Sequence, residues 1–420
     1  TLRPVIERYR NHPSLYMWSA YGEPGFAGKA LTDAEKQAYA DYLRERYGTV
    51  ENLDRTWNIY PRKGRPVIER FEDAHKLVAD LTAGEDLIAL VVKNRENYGP
   101  ARDLMRFHTD RSLARAKATV DLFRKLDPQH PIAVGSHQLM LNQPMLRWDT
   151  GQWARLGDLH FSSIHMSWHF ELVKGEIDRP MYMQSRMTRD YFKNGWTSAY
   201  ETTGGAVQYS GGYGNAMTAG LMRRLMLSYL AGGNVNIAFW TWNHRPGGWE
   251  GGEYGLTTLS GAVSEWAQEA GKVSVAMQKY RDELWTADNQ PRVGLLQSWD
   301  TEAVYMLEPE QHELKEGVSK FVRGTKTQPT RAYVGAARAM INQQVSFEYV
   351  TAQEIMEGTA LRYPAIYVPH MRAASTQLMA ELREYVQKGG RLIADVQIAF
   401  ADPWGKLHPT AVQDNPGMVS

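Results

Sequence analysis

The sequence predicts an α/β chain of parallel sheets with crossover helices. Short apolar, strand-like runs alternate with amphipathic helical stretches up to about residue 285. Polar and aromatic residues gather just after the strand ends, where β/α barrels carry their active sites. From about Pro291 a second, smaller βαβ rhythm begins.

The elements follow in order. Leu15 to Glu23, LYMWSAYGE, reads as a strand ending in a Gly-Glu-Pro-Gly turn. Thr32 to Gly48 reads as a helix, because Thr32 with Glu35 forms a capping signature and Gly48 closes the far end. Asp103 to Pro128 is a long amphipathic helix stopped by proline, and Pro131 to Ser136 a buried strand. Asp158 to His169 and Trp196 to Gly205 are further strands, the second ending in a glycine turn. A helix around Met217 to Gly233 precedes a strand that starts at Asn234 and runs into a Gly-rich loop. Beyond Pro291, PRVGLLQ, VSFEYV, YPAIYVP and RLIADVQ read as strands, and TRAYVGAARAMINQ and TQLMAELREYVQKGG as helices. The boundary between the two units is expected near Glu283 to Gln290.

Composition narrows the function. At about 150 residues per domain, 420 residues imply two or three domains. Lys and Arg total 48 against 47 Asp and Glu, so the basic excess of a nucleic-acid binder is missing. The run Leu87 to Val92 is far short of the about 20 apolar residues that span a bilayer. Zero cysteines exclude disulfides and thiolate zinc sites. The N-terminal stretch has no signal-peptide pattern and no initiator Met. A soluble protein of the cytoplasm or the periplasm is expected. Thirteen Trp and 22 Tyr outnumber 11 Phe. Such a surplus suits either a large core or a cleft for flat, hydroxylated ligands such as sugars.

Three stretches carry chemistry. In SAYGEPG, Glu23 stands just past a buried strand, beside Tyr16, Trp18 and Tyr21, which could desolvate it and raise its pKa as a general acid needs. In SAYETTGG, Glu201 closes a second strand. Two such glutamates facing each other across one barrel mouth fit glycoside hydrolysis, and a separation of about 5 to 5.5 Å gives the retaining mechanism. The plainer alternatives are a solvated Glu23 in an ordinary turn and a structural ion-pair role for one of the two glutamates. The loop Phe239 to Leu256 interleaves Trp240, Trp242, Trp249 and Tyr254 with Asn243, His244, Arg245, Glu250 and Glu253, a sugar-binding mixture. His165 and His169 are four apart, but a strand spaces them too widely to share a metal easily. His165 and Trp168 are read as substrate or core contacts. No phosphate-cradling loop, dinucleotide fingerprint or serine elbow is present, so kinase, NAD-enzyme and serine-hydrolase readings have no support. No metal and no cofactor are expected.

At RNHPSLYMWSAYGEPG the sequence resembles clan A glycoside hydrolases, and in detail family 42, the β-galactosidases. YLRERYGTVENLDRTWN, LDPQHPIAVGS, SAYETTGG and the loop Phe239 to Leu256 are similar to later segments of that family, in the same order. AYVGAARAM, YPAIYVP and REYVQKGGRLIAD resemble its trimerisation domain, a glutamine-amidotransferase-like α/β unit. The resemblance implies a (β/α)8 TIM barrel over residues 1–288, strands four to eight, then a trimerisation-type domain over residues 289–420, expected to be incomplete. The N-terminal barrel strands are expected to be missing from this chain.

The resemblance further implies a retaining exo-acting β-glycosidase, β-galactosidase first. Glu23 is its acid/base and Glu201 its nucleophile. Trp18, His165, Trp168, Trp240, Trp242, His244, Arg245, Trp249, Glu250 and Glu253 are its substrate contacts. An oligosaccharide substrate and a homotrimer are the implied partners, with no nucleic acid and no membrane. Two departures bear on the sugar. Gly22 stands where the clan has an Asn that contacts the 2-hydroxyl, and Glu253 stands where the family has His. A β-glycosidase for another sugar, such as a β-mannosidase or a marine-polysaccharide exo-hydrolase, is the alternative. A non-catalytic carbohydrate-binding protein on a hydrolase fold is the reading from a different class.

Overall fold

Five short strands form one parallel sheet in chain order: β1 (Trp18–Tyr21), β2 (Ile132–His137), β3 (Leu159–Ile164), β4 (Thr197–Thr203) and β5 (Asn236–Trp240). The computed structural model describes residues 2–22, 31–57, 68–78, 98–137, 149–166, 176–193, 196–207, 216–307, 328–395, 398–399 and 401–406. Helix α1 (Arg3–Tyr9) precedes β1, and α2 (Asp33–Tyr47), α3 (Val50–Trp57) and α4 (Tyr98–Leu126) lie between β1 and β2. Then α5 (Thr150–Ala154) leads to β3, α6 (Asp178–Tyr191) to β4, and α7 (Ala219–Gly232) to β5. Helices α8 (Glu265–Lys279) and α9 (Arg281–Thr286) follow.

Strands buried on both faces explain the apolar runs in the sequence. In β2, Ile132 and Val134 pack with Val120, Phe123 and Trp153 on the helix side. Ala133 between them packs with Leu159 and Phe161 on the other side, where Tyr200 also lies. The sheet curls. A Cβ on Gly22, just past β1, would stand 3.3 Å from the Tyr200 hydroxyl on β4, although β2 and β3 lie between those strands. Gly135 permits the close approach of β1 to β2, because a Cβ there would sit 2.2 Å from the Gly22 carbonyl oxygen.

The second sheet is also parallel. It contains β6 (Val293–Gln297), β7 (Phe347–Thr351), β8 (Ala365–Val368) and β9 (Arg391–Ala394), in the order β7-β6-β8-β9. Its helices include α10 (Trp299–Leu307), α11 (Gln328–Asn342) and α12 (Thr376–Gln387). The two sheets share a core. Met183, Met187 and Tyr191 of α6 pack with Leu295, Phe347 and Tyr349 of the second sheet. Buried Asp190 accepts from the Tyr349 backbone N–H at 2.8 Å and from Arg186 Nε at 2.7 Å. Lys193 bridges Glu348 and Glu354.

The capping box of α2 forms as the sequence predicts, with Thr32 and Glu35 exchanging hydrogen bonds and Gly48 at φ +72°. The strands are shorter than their apolar runs. β1 covers only Trp18–Tyr21, because Leu15 is held in a turn by the His12 carbonyl. β3 ends at Ile164 and β5 at Trp240, where ladder pairing gives way to loop contacts.

Candidate active site

Glu201 sits at a β-bulge near the carboxyl end of β4. Ser162 pairs with Ala199 and Ser163 with Glu201, so Tyr200 is the extra residue. The ladder to β5 slips at the same place, between Ala199 and Thr202. Bulges re-aim side chains, and they concentrate beside active sites. Ala199 packs with the α7 residues Met222 and Met226, and the Thr202 hydroxyl bonds the Tyr229 hydroxyl at 2.6 Å, so both face the helices. Two residues, Tyr200 and Glu201, therefore lie between them on the opposite face.

His165 Nε2 lies 3.0 Å from Glu201 Oε1 and donates to it when it carries the proton. The His165 side chain is buried, while that of Glu201 is 26% exposed. Thr203 Oγ1 lies 3.4 Å from His165 Nδ1 and accepts from the Met166 backbone N–H at 3.2 Å. The Tyr254 ring meets His165 edge-on at 5.3 Å. The imidazole is thus fixed from several sides, and it presents one nitrogen to a carboxylate that solvent can reach.

The loop after β5 folds over the same strand end. Gly204 N–H donates to the Trp240 carbonyl, Tyr254 N–H to Ala206, and Thr241 N–H to Tyr254. A Cβ on Gly205 would stand 2.1 Å from the Gly255 carbonyl oxygen, so the glycine turn in SAYETTGG is what admits the loop. Trp240 Nε1 donates to Glu250 Oε2 at 3.1 Å, and Arg245 lies over the Trp240 ring at 4.9 Å while pairing with Glu250 at 3.5 Å. Glu250 takes φ +64°, in the left-handed region. Trp242 and Trp249 are 65% and 69% exposed, flat apolar faces open to a ligand.

Other expected contacts fall elsewhere. Trp18 does not join this cluster. Its indole donates to Asp127 Oδ2 at 2.8 Å and packs on Phe123 of α4, because strand alternation turns it to the helix side. Glu253 is buried rather than displayed, and its carbonyl lies 3.2 Å from His244 Nδ1, so this part of the loop is braced internally. Glu23 and Trp168 lie outside the described residues. Two residues missing from the expected set belong to the site by geometry, Tyr200 and Thr203, and Tyr254 of the aromatic loop braces His165. SAYETTGG names the first two, but a bulge cannot be counted from one strand's sequence. Among the described residues no group of three or more His, Asp or Glu could hold a metal ion.

The fold has close counterparts. A β-galactosidase from Bacillus circulans sp. alkalophilus superimposes with a TM-score of 0.77 at 19% identity, covering 96% of this chain and 54% of that one. An exo-carrageenase from Bacteroides ovatus gives 0.65 at 13% identity, covering 92% and 50%. In sequence, a β-galactosidase from Heyndrickxia coagulans is 22% identical over 96% of this chain and 54% of its own length. One from Planococcus sp. (strain 'SOS Orange') is 30% identical over 37% of this chain and 21% of its own. The chain spans about half the length of the first of these curated relatives. The profile of the β-galactosidase family of glycoside hydrolases matches residues 1–63 and 82–280, a stretch that holds Glu201, His165 and the whole loop over β4. With the profile matching well over half of its residues, the chain belongs to glycoside hydrolase family 42.

Proposed function

We propose that the protein is a retaining, exo-acting β-galactosidase in which Glu201 is the nucleophile and Glu23 the acid/base. One observation supports this reading above the others. A Cβ built on Gly22 would lie 3.3 Å from the Tyr200 hydroxyl, so the residues immediately before the two glutamates are near each other across the strand ends. Retaining glycoside hydrolysis needs its two carboxyl groups about 5 to 5.5 Å apart, and chain positions 22 and 200 brought near each other suit that requirement. Glu201 attacks the anomeric carbon as Glu23 gives its proton to the leaving oxygen. Glu23 then takes a proton from water, whose oxygen displaces Glu201. His165 holds one Glu201 oxygen, so the other is the attacking atom. Trp240, Trp242, Trp249, Arg245 and Glu250 form the wall for the non-reducing-end sugar, with ring faces for its apolar side and charged groups for its hydroxyls.

The five strands are read as strands four to eight of a (β/α)8 barrel. Residues 289–420 are read as a glutamine-amidotransferase-like trimerisation domain, and the active protein as a homotrimer. Light scattering tests the last point, and a monomer mass removes it. A panel of nitrophenyl glycosides tests the activity: β-galactoside, β-mannoside, β-glucoside, β-fucoside and α-arabinoside. Release from the β-galactoside is the expected result. Release from another sugar alone transfers the reading to that sugar, and no release from any of them overturns it.

A further inference from the structure

We propose that the Tyr200 phenol hydrogen-bonds the 2-hydroxyl of the bound sugar, working from the space that Gly22 leaves empty; this rests on the reading of Glu201 and Glu23 above. A Cβ on Gly22 would stand 3.3 Å from Tyr200 Oη and 3.9 Å from Cζ. The hydroxyl end of the phenol, rather than the ring edge, therefore occupies the gap. Any side chain at position 22 would press on it.

The bulge in β4 puts Tyr200 where an ordinary strand could not. Ala199 and Thr202 both face the helices, so Tyr200 and Glu201 share the opposite face as consecutive residues. The phenol and the nucleophile are thereby delivered to one sugar. The Tyr200 ring is fixed by the Phe161 ring, stacked at 6.4 Å with 27° between planes. The residue is half-buried. A phenol can donate and accept at once. Of the sugar's hydroxyls, the one next to the anomeric carbon lies nearest a group tied to the nucleophile. Hydrogen bonds to that hydroxyl strengthen in the transition state of glycoside hydrolysis, so a donor there raises turnover rather than mere binding.

Two variants and two substrates test this. On nitrophenyl β-galactoside, Tyr200→Phe is expected to lower kcat by about a hundredfold, the scale of one lost transition-state hydrogen bond. On the 2-deoxy analogue, which has no hydroxyl to bond, the same change is expected to do little. Gly22→Asn alone is expected to lower activity by crowding the phenol. In the Tyr200→Phe background it is expected to recover much of the loss, because an amide then fills the gap and reaches the same hydroxyl. Equal slowing on both substrates by Tyr200→Phe overturns the proposal, as does a Gly22→Asn loss that Tyr200→Phe leaves unrelieved. The underlying reading fails separately: Glu201→Ala would then keep full turnover on the parent substrate.

Discussion

His165 Nε2 approaches Glu201 Oε1 to 3.0 Å from a buried position, braced by Thr203 and by the edge of Tyr254. Among the described residues, that contact engages one carboxylate oxygen and leaves the other open. Small losses of such alignment cost rate steeply. His165→Ala is therefore expected to lower kcat about a hundredfold with little change in KM, since the β5 loop proposed to hold the sugar stays in place. His165→Gln restores an N–H donor and should recover part of the loss. A rise in KM with kcat unchanged would instead make His165 a substrate ligand.

Glu250 carries a different kind of prediction. It accepts from the Trp240 indole and pairs with Arg245, which in turn lies over the same ring. Glu250→Ala releases both groups at once. The expected outcome is a KM raised about tenfold, as loss of one or two polar contacts implies, with a smaller effect on kcat. Steady-state kinetics on a β-galactoside measures both. An unaltered KM would remove this loop from the sugar subsite.

Below neutral pH the fold should weaken through His160. This residue is fully buried in β3, with Ser136 Oγ at Nε2 and the Thr188 carbonyl at Nδ1. Burial lowers its pKa to about 4, and the Thr188 carbonyl opposes that only in part. A depressed histidine pKa favours the neutral folded form. Its contribution is complete above the unfolded value near 6.5 and is lost as pH falls from there through 4. The stability lost across that window is about 3 kcal/mol. Urea unfolding at several pH values measures it. The slope should flatten in His160→Gln, and an unchanged slope would assign the acid sensitivity elsewhere.

Glu302 on α10 should weaken the fold in the opposite direction of pH. Its carboxyl is buried, and desolvation, aided by nearby Asp149, pushes it up to about 8. A raised carboxyl pKa favours the protonated folded form, so stability falls as pH rises from the unfolded value near 4.5 through 8. Glu302→Gln removes the group that must ionise. It is expected to stabilise the protein by about 3 kcal/mol at pH 7 and to change little near pH 4. Equal stability of variant and parent at pH 7 would contradict this.

Much of the fold is legible in the sequence, for identifiable reasons. The strands of the first sheet read as apolar runs because both faces of β2 and β3 are buried. Helix α2 announces itself through Thr32, Glu35 and Gly48. Helix α6 does not, because it lies between the two sheets and buries Gln184, Ser185, Arg186 and Asp190 along with its methionines. Polar residues satisfied inside a core erase the 3.6-residue pattern on which a reading depends. The site divides in the same way. Glu201, His165 and Trp240 are visible as residue types at strand ends, and Glu250 in the aromatic loop that follows β5. Tyr200 is not, because the bulge that turns it beside Glu201 depends on pairing with β3 and β5. Trp18 misleads for the converse reason, since its side of β1 is set by packing on Phe123 and Asp127.

The central claim is that Glu201 forms a covalent bond to the sugar. A 2-deoxy-2-fluoro-β-galactoside with a good leaving group tests it most directly, because the fluorine slows hydrolysis of the glycosyl-enzyme and lets it accumulate. The account predicts time-dependent inactivation and a fluorosugar mass on the peptide that contains Glu201, absent from Glu201→Ala. A label on any other carboxylate, or inactivation that survives Glu201→Ala, would contradict it.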